Sequence, residues 1–227
     1  MKVLVIDVGG TNVKIYANGQ NPPVKVASGR QMTAKKMVKA VLTMVAEANY
    51  SVVSIGYPGA VKDGKPIQEP HNLAHGWVGF NFDMAFGKRV KIINDAAMQA
   101  LGCYNGGRML FLGLGTGLGS TLIVDGVVAP LELAHLPFKH QRTLEDYVGA
   151  PALKRMGLKK WRRAVLEVAE LLRAALQIDD VVLGGGNAKL VTEVPQGIRP
   201  CVPWQAVYVG GSRLWEQEAN LPTVRAA

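Results

Sequence analysis

The chain has 227 residues, a formal net charge of +9, and 48% hydrophobic against 19% charged residues. This composition is typical of a globular protein and excludes extensive disorder. No apolar run approaches the ~20 residues that a membrane-spanning helix needs, and the N-terminus resembles a first strand rather than a signal peptide. We therefore expect a cytoplasmic protein without membrane partners. The positive charge favours anionic partners but does not identify them.

The first half of the sequence predicts an α/β pattern. Residues 3–17 contain an apolar run, a glycine turn and a second run, which together predict a hairpin. Apolar residues spaced four, four and three apart after Thr33 predict a helix. Buried strands are expected at 52–59 and 90–95, and a helical segment follows the second of them.

The second half repeats this order. Residues 109–119 form an apolar run that leads into a glycine-rich turn, and residues 120–126 return. This repeat predicts two lobes of similar design. Thr143 and Asp146 have the spacing of a capping box. Further elements are expected as helices at 144–149 and 161–176 and as strands at 181–186 and 206–211.

Cys103 and Cys201 are the only cysteines of the chain. They are far apart in a sequence without an export signal, so we expect reduced thiols with no structural role. No further ligands stand at metal-binding spacing from them, which argues against a metal site built on cysteine.

The segment from Asp7 to Lys14 is the first candidate for binding chemistry. The turn at Gly9 and Gly10 presents backbone N–H groups and Thr11 adds a hydroxyl, a combination that suits phosphate oxygens. Asp7, at the end of a buried strand, is placed to hold Mg²⁺ through water. A type I′ hairpin turn with a solvated aspartate is the alternative reading.

The segment GLGTGLG at 113–119 is the second candidate. Four glycines at alternate positions exceed what a hairpin needs, and they indicate close approach of a ligand to the backbone around Gly115, Thr116 and Gly117. The pattern is neither a Walker A loop nor a dinucleotide-binding fingerprint. Two glycine hairpins of like design favour phosphate binding.

These motifs together resemble a known family. DVGGTNVK, GLGTGLGSTL and VVLGGGNAK are similar to the two phosphate loops and the adenosine loop of actin-like sugar kinases. Glu132-Leu-Ala-His135 resembles the E-x-x-H motif of the ROK family, and Asn94-Asp95 resembles its Asn and catalytic Asp. The resemblance covers residues 3 to about 215.

The resemblance implies the fold and the lobes. The expected fold is α/β, a two-lobed actin-like (ribonuclease H-like) ATPase fold with the active-site cleft between the lobes. The first lobe would comprise residues 1–95 with a C-terminal helix at 211–227, and the second lobe residues 96–210. Members of the family are commonly homodimers.

The resemblance also implies roles for residues. Asp95 would be the general base that accepts the proton of the sugar hydroxyl. The remaining roles are hexose binding by Asn94, Glu132, His135, Glu145 and Gly59; phosphate or nucleotide binding by Asp7, Gly9, Gly10, Thr11, Lys14, Gly115, Thr116, Gly117, Gly184, Gly185 and Gly186; and Mg²⁺ binding through water by Asp7.

Each of these roles has a structural alternative. Asp95 also suits the N-cap of a helix at 96–102. His135 alone would be read as a hydrogen-bonded core histidine, and Glu145 as an acid in the first turn of a helix. Gly184–Gly186 alone would be a strand end that needs close backbone packing.

The sequence departs from many relatives in lacking a cysteine-rich zinc loop after the E-x-x-H motif. Zinc is therefore not expected, and this zinc-free form looks most like the polyphosphate glucokinase branch of the family. The basic run at 159–163 is either a solvated helix start or a guide for a polyanion. Nucleic acid is not an expected partner, because the basic residues are few and no aromatic platform accompanies them.

The implied function is a glucokinase-type phosphotransferase that depends on Mg²⁺. ATP and polyphosphate both stay open as the phosphoryl donor, and glucose, at its 6-hydroxyl, is the first candidate substrate. Another hexose or an N-acyl-hexosamine is an alternative substrate. A non-catalytic, sugar-responsive regulator is the alternative from another functional class.

Overall fold

The computed structural model describes residues 1–17 and 22–216. Contacts divide the chain into two compact units: Met1–Met98 with the described residues from Val207 onward, and Gln99–Ala206. The lobe boundaries at 95 and 210 stay predictions. Most of the predicted last helix, at 211–227, lies outside the described residues.

The first unit is built on a five-stranded sheet. The first two strands pair antiparallel, as the predicted hairpin requires, and the first, fourth and seventh strands run parallel. The first strand is buried along its whole length, which explains its continuous apolar run. The strands are β1 (Val3–Val8), β2 (Asn12–Ala17), β3 (Val24–Ala27), β4 (Val52–Tyr57), β5 (Val61–Lys62), β6 (Lys65–Pro66) and β7 (Val90–Asn94). The sheet order is β3-β2-β1-β4-β7, and β5 and β6 form a separate ribbon.

The helices of the first unit are α1 (Ala34–Met44) and α2 (Phe82–Phe86), together with the start of α3 (Asp95–Cys103). The predicted helix after Thr33 is confirmed, because the Thr33 hydroxyl accepts from the backbone N–H of Lys36 at 3.2 Å. The predicted apolar face is confirmed as well, since its buried residues pack into the core of this unit.

The second unit repeats the sheet of the first, with its own core. Its strands are β8 (Arg108–Leu114), β9 (Leu118–Val124), β10 (Val127–Leu131), β11 (Asp180–Gly184) and β12 (Ile198–Pro200), in the order β10-β9-β8-β11-β12. An antiparallel hairpin is again followed by two parallel strands. The internal repeat that the sequence predicted is therefore confirmed at the level of sheet topology.

The helices of the second unit are α4 (Glu145–Val148), α5 (Ala150–Met156) and α6 (Leu158–Leu176), with a 3₁₀ turn at Ala188–Leu190. The predicted capping box forms: the Asp146 carboxylate accepts from the N–H and hydroxyl of Thr143, and the Thr143 hydroxyl accepts from the Asp146 N–H. The predicted face of α6 is buried, and the indole of Trp161 donates to the Val148 carbonyl at 2.9 Å.

The strand predicted at 206–211 is wrong. These residues belong to helix α7 (Pro203–Arg213). Burial recurs at Ala206, Val207, Gly210 and Gly211, which is the period of a helix and not of a strand. A short apolar run does not distinguish the two by itself. At Gly211 a Cβ would lie 2.5 Å from the Val5 side chain, so glycine lets the helix approach β1.

The prediction of reduced cysteines is also wrong. Cys103, the last residue of α3, forms a disulfide with Cys201, two residues before α7 begins, and the two Cα atoms are 6.2 Å apart. A separation of 98 residues gave no sequence signal for this proximity. The contact arises because the backbone of Gly102 packs on Ala206, whose carbonyl oxygen would lie 1.9 Å from a Cβ at position 102.

Among residues 1–17 and 22–216, no helix combines the length and the apolar character that a membrane span requires.

Candidate functional site

The first glycine loop joins β1 to β2 in a tight turn. The Gly9 N–H donates to the Asn12 carbonyl at 3.1 Å, which leaves Gly10 and Thr11 at the tip. Neither these three residues nor Asn12 is among the described residues with a left-handed φ, so the alternative of a type I′ turn is excluded. Glycine is needed here for space: a Cβ at Gly9 would lie 2.9 Å from the Asn12 carbonyl oxygen, and one at Gly10 would lie 3.1 Å from Asn72 Cβ.

Two carboxylates and one ammonium group come together at one end of this sheet. Asp7 and Lys14 face each other in the β1–β2 register, and their side chains form an ion pair of 2.7 Å. Asp95 follows β7, which is parallel to β1 through β4, and the carboxyl ends of parallel strands meet at one edge. Asp7 is 4% exposed. The sequence therefore placed Asp7 and Asp95 correctly at strand ends.

The electrostatics of Asp95 follow from this grouping. Burial, reinforced by the negative charge of Asp7, raises the pKa of Asp95 to about 7, and the Ala96 amide and the Lys14 ammonium oppose the rise. A carboxyl group with a pKa near neutrality is suited to accept a proton under physiological conditions, because its basic form is populated and retains proton affinity.

Asn94 rather than Asp95 caps α3. The Asn94 side-chain oxygen accepts from the Ala97 N–H at 3.1 Å, and its amide donates to the Gly59 carbonyl at 3.2 Å. The Asp95 carboxylate instead accepts from the adjacent Ala96 N–H, at 2.8 Å. The alternative role of Asp95 as the cap is corrected accordingly. Gly59 and Asn94, two predicted hexose contacts, are thereby brought together in this unit.

The second glycine loop closes β8 on β9 with three residues, Gly115 to Gly117. The Gly115 N–H donates to the Gly117 carbonyl at 3.1 Å, and Thr116 is exposed between them. Among the described residues, no atom lies within 4 Å of the Cβ position at Gly115, so the backbone there is open. A Cβ at Gly117 would lie 2.0 Å from a carboxylate oxygen of Glu145. Only one of these two glycines is thus explained by packing.

Glu145 supports this loop. Its Oε2 accepts from the Leu118 N–H at 3.0 Å, and the Ala150 N–H, one turn further along, donates to the carbonyls of Gly115 and Thr116 at 3.1 Å each. These contacts hold the start of α4 and α5 against the turn between β8 and β9. Hexose binding by Glu145 stays a prediction; its second carboxylate oxygen has no partner among the described residues.

The three glycines after β11 differ from one another. A Cβ at Gly184 would lie 2.3 Å from the Phe111 ring, and Gly185 has φ +79 with the Leu114 carbonyl oxygen 2.6 Å from its Cβ position. Gly186 has neither constraint: its φ is not left-handed, and no atom of residues 1–17 and 22–216 lies within 4 Å of its Cβ position. Close packing therefore accounts for the first two, and only Gly186 offers an open backbone.

Asn187 connects this segment to the second glycine loop, a role that the sequence analysis missed. Its backbone N–H donates to the Leu114 carbonyl at 3.0 Å, and its side-chain amide donates to the Gly115 carbonyl at 3.3 Å. The two predicted phosphate and adenosine segments of the second unit are thereby adjacent. The motif GGGN, in which a polar residue follows a glycine turn, was the signal available.

Substituting these glycines separates packing from ligand approach. We expect Gly185→Ala to lower the free energy of unfolding by about 2 kcal/mol or more, since alanine is strained at positive φ and collides with backbone. Gly186→Ala should stay within about 0.5 kcal/mol of the wild type. Chemical denaturation of both variants measures this difference, and equal stability of the two would contradict the packing assignment.

Glu132 and His135 follow β10 on an open loop. Their side chains are both 73% exposed, and Glu132 Oε1 lies 3.9 Å from His135 Nε2. The alternative of a buried core histidine is therefore wrong. The Ala134 carbonyl accepts from the Glu145 N–H at 3.0 Å, which joins this loop to the start of α4. The structure thus brings the Glu132–His135 and Glu145 segments together.

Metal binding in this chain would rest on few ligands. Among the described residues, no group of three or more His, Cys, Asp and Glu side chains is placed to hold a metal ion. The neighbouring carboxylates of Asp7 and Asp95 nevertheless fit Mg²⁺, which is usually bound by one or two carboxylates together with waters and substrate phosphates. The expected absence of zinc stays a prediction.

Comparison with known proteins gives consistent matches. The sequence model of the ROK family matches residues 3–129. Polyphosphate glucokinase of Mycobacterium tuberculosis is 27% identical over an alignment of 205 residues, and the match covers 81% of this chain and 77% of that protein. The inorganic polyphosphate/ATP-glucomannokinase of Arthrobacter sp. strain KM has a TM-score of 0.77 at 24% identity, covering 94% of this chain and 97% of that one.

A further solved structure has the same fold. The ROK family glucokinase of Streptomyces griseus, solved with glucose and AMPPNP, has a TM-score of 0.73 at 18% identity and covers 94% of this chain and 99% of that one. At these identities the likeness is evidence for the fold. It confirms the predicted α/β architecture of the two-lobed, actin-like type.

Proposed function

Because this chain belongs to the ROK family, we propose that it is a sugar kinase that transfers a phosphoryl group from ATP or polyphosphate to a hexose, with the glucose 6-hydroxyl as the first candidate acceptor. The observation that carries the proposal is Asp95: a carboxylate at a strand–helix junction, beside the first glycine loop, with a pKa near 7. The names of the relatives support the same class of reaction.

Asp95 would act as the general base. Phosphoryl transfer needs positioning and charge neutralisation more than a strong nucleophile, and a base that accepts the hydroxyl proton as the new O–P bond forms is sufficient. The Asp95 carboxylate is held by the Ala96 N–H. Asn94, whose side chain is fixed at both ends by backbone groups, would keep this junction rigid beside the sugar.

The first glycine loop would hold the phosphate that is transferred. Thr11 supplies an exposed hydroxyl, and Gly9 and Gly10 allow the turn to be tight. The Lys14 ammonium is paired with Asp7 and lies beside the loop, where it offsets negative charge. Mg²⁺, held through water by Asp7, would neutralise charge on the donor phosphates when bound.

Residues of the second unit would bind hexose and donor. Glu132, His135 and Glu145 carry side chains that accept or exchange hydrogen bonds with sugar hydroxyls, and the first two are open to solvent. Donor contacts are proposed at the open backbone around Gly115 and Gly186. Thr116 is exposed and would be a further donor contact. Donor binding by Gly117, Gly184 and Gly185, whose close packing already accounts for glycine, stays a prediction.

Turnover tests the proposal against its alternatives. Purified protein with glucose, Mg²⁺ and either ATP or polyphosphate should form glucose 6-phosphate, and omission of Mg²⁺ should abolish the reaction. A panel of mannose, other hexoses and N-acyl-hexosamines would identify the acceptor. Sugar binding without phosphorylation of any of them would instead support the sugar-responsive regulator. A homodimer and a cytoplasmic location are further predictions.

The choice of donor can be tested on the basic run at the start of α6. Lys159, Lys160 and Arg163 are exposed, whereas Trp161 is buried and Arg162 donates to the Leu190 carbonyl, next to the Gly184–Gly186 segment. If polyphosphate is a donor, alanine at the three exposed positions should raise its KM about tenfold and flatten its dependence on salt, because spread positive charges hold a long polyanion. The KM for ATP should stay within about twofold.

The matched control replaces three exposed lysines on α1, Lys35, Lys36 and Lys39, by alanine. The net charge falls by the same amount, so a general charge effect would raise the KM for polyphosphate equally in both variants. Equal effects, or turnover with ATP and none with polyphosphate at low and moderate salt, would identify the basic run as a solvated helix face.

A further inference from the structure

The segment between β6 and α2 is a loop anchored by one carboxylate. Glu69 accepts from three consecutive backbone N–H groups, those of Gly76, Trp77 and Val78, at 3.1 to 3.2 Å. Burial raises the pKa of Glu69, but these hydrogen bonds and the nearby His75 outweigh it and hold the pKa below its ordinary value. Hydrogen bonds therefore hold the start of the loop, at Glu69, against its later part at residues 76–78.

The loop is also fastened to the body of the first unit. Trp77 is fully buried and its indole N–H donates to the Met32 carbonyl at 3.3 Å; the Ala74 N–H donates to the same carbonyl at 3.1 Å. Leu73 is 5% exposed in the core. The residue before it, Asn72, is therefore held in place by its neighbours although its own side chain is exposed.

Asn72 is held directly against the first glycine loop. Its side-chain nitrogen lies 3.7 Å, and its Cβ 3.1 Å, from the Cβ position at Gly10. Ser28 also contacts the loop: it donates from its N–H to the Thr11 carbonyl at 3.0 Å and from its hydroxyl to the Gly9 carbonyl at 2.6 Å. Both Ser28 contacts use carbonyl oxygens of the loop, and neither involves the N–H groups of Gly10 and Thr11.

Three hydrogen-bond donors at the first glycine loop have no acceptor among the described residues. Within residues 1–17 and 22–216, no acceptor pairs with the backbone N–H of Gly10 or of Thr11, or with the Asn72 amide. Donors fixed in advance on a rigid backbone are the arrangement that stabilises a negatively charged oxygen. A structural role in the fold does not account for Asn72, because its side chain is exposed and makes no hydrogen bond within the part of the chain that the structure describes.

We propose that the Asn72 side-chain amide binds a non-bridging oxygen of the donor's transferred phosphate, together with the N–H groups of Gly10 and Thr11. The proposal rests on the proposed function, since it assigns a phosphate to the first glycine loop. It adds a residue from outside the glycine motif to donor binding. The loop anchored by Glu69 would be the scaffold that holds the backbone of Asn72 beside Gly10.

The test compares Asn72→Ala and Asn72→Asp with the wild type. Loss of a hydrogen bond to a charged oxygen should lower kcat/KM for the donor about tenfold to a hundredfold in Asn72→Ala. Asn72→Asp should lower it further, because a carboxylate repels the phosphate. The KM for the sugar and the melting temperature should stay unchanged in both. Asn105→Ala, which truncates another exposed asparagine in the second unit, is the control and should match the wild type.

Binding of inorganic tripolyphosphate, measured by calorimetry without sugar, keeps this test separate from that of the proposed function. The expected result is weaker binding by Asn72→Ala than by the wild type, whichever sugar is the substrate. The proposal is overturned if the two bind equally, if the wild type does not bind, or if Asn72→Ala loses sugar affinity and melting temperature in step with donor affinity. A wild type that binds tripolyphosphate but phosphorylates no sugar would overturn the proposed function and leave the Asn72 assignment standing.

Discussion

Replacing Asp95 by Asn should lower kcat by about 10² or more while the fold stays intact. Asparagine has the same shape and retains the oxygen that accepts the Ala96 N–H, but it does not take up a proton. Helix α3 should persist, because its cap is Asn94 and not the substituted residue. Initial rates at saturating sugar and donor measure the effect, and far-UV circular dichroism is the control for folding.

The pH dependence gives this prediction a second readout. The base has to be deprotonated, and the pKa of Asp95 is about 7, so kcat/KM of the wild type should rise with pH through about 7. In Asp95→Asn, kcat/KM should no longer rise with pH in this range. Turnover of the variant close to that of the wild type, or a kcat/KM that still rises with pH near 7, would show that Asp95 is not the general base.

As pH rises towards 7, the Asp95 contribution to the free energy of unfolding should fall while activity rises. The folded protein holds a proton on Asp95 between pH 3.8 and about 7, where the unfolded chain has released it. The folded state therefore binds more protons in this window, and the contribution of Asp95 to stability falls as pH rises through it. Asp95→Asn removes that loss, so the variant should be at least as stable as the wild type at pH 8. Urea unfolding at pH 5 and pH 8 measures the difference.

The parts of the fold that were predictable are those with a local signal. The period of α6 and the glycine turns are visible in the sequence itself, and the repeat of strand, turn and strand predicted the β1–β2 and β8–β9 hairpins. The strands β3, β10 and β12 were not predicted. The helix α7 was not predictable in the same way, since its short apolar run fits a strand equally well. Whether this segment is a helix or a strand depends on its packing against β1, which cannot be seen in the sequence.

The candidate site was predictable only as a list of residues. Motifs identified Asp7 and Asp95, but not that the charge of one raises the pKa of the other. They also did not show that Asn94 would be the cap, or that the Glu145 carboxylate would accept from the Leu118 N–H. These properties depend on distances between segments far apart in the chain. Asn72 belongs to the same class, because nothing in its local sequence marks it as a neighbour of Gly10.

Reducing the disulfide should lower the free energy of unfolding by about 4 kcal/mol. The bond between Cys103 and Cys201 closes a loop with a sequence separation of 98, and in the chain-entropy account such a long loop restricts the unfolded chain strongly. The native structure should change little on reduction. Arg199 still joins the Cys103 carbonyl to Asp180, at 2.8 and 2.7 Å.

Urea unfolding of the wild type with and without dithiothreitol measures the effect of the bond. The double variant Cys103→Ala/Cys201→Ala is the control: it should unfold at the same urea concentration with and without the reductant. A wild-type midpoint that does not move on reduction would show that the bond contributes nothing to stability. The result also bears on the predicted cytoplasmic location, because thiol pools of the cytosol keep most disulfides open. If the protein is cytoplasmic, its working form there is the less stable dithiol, and kinase assays under reducing conditions are the ones that describe it.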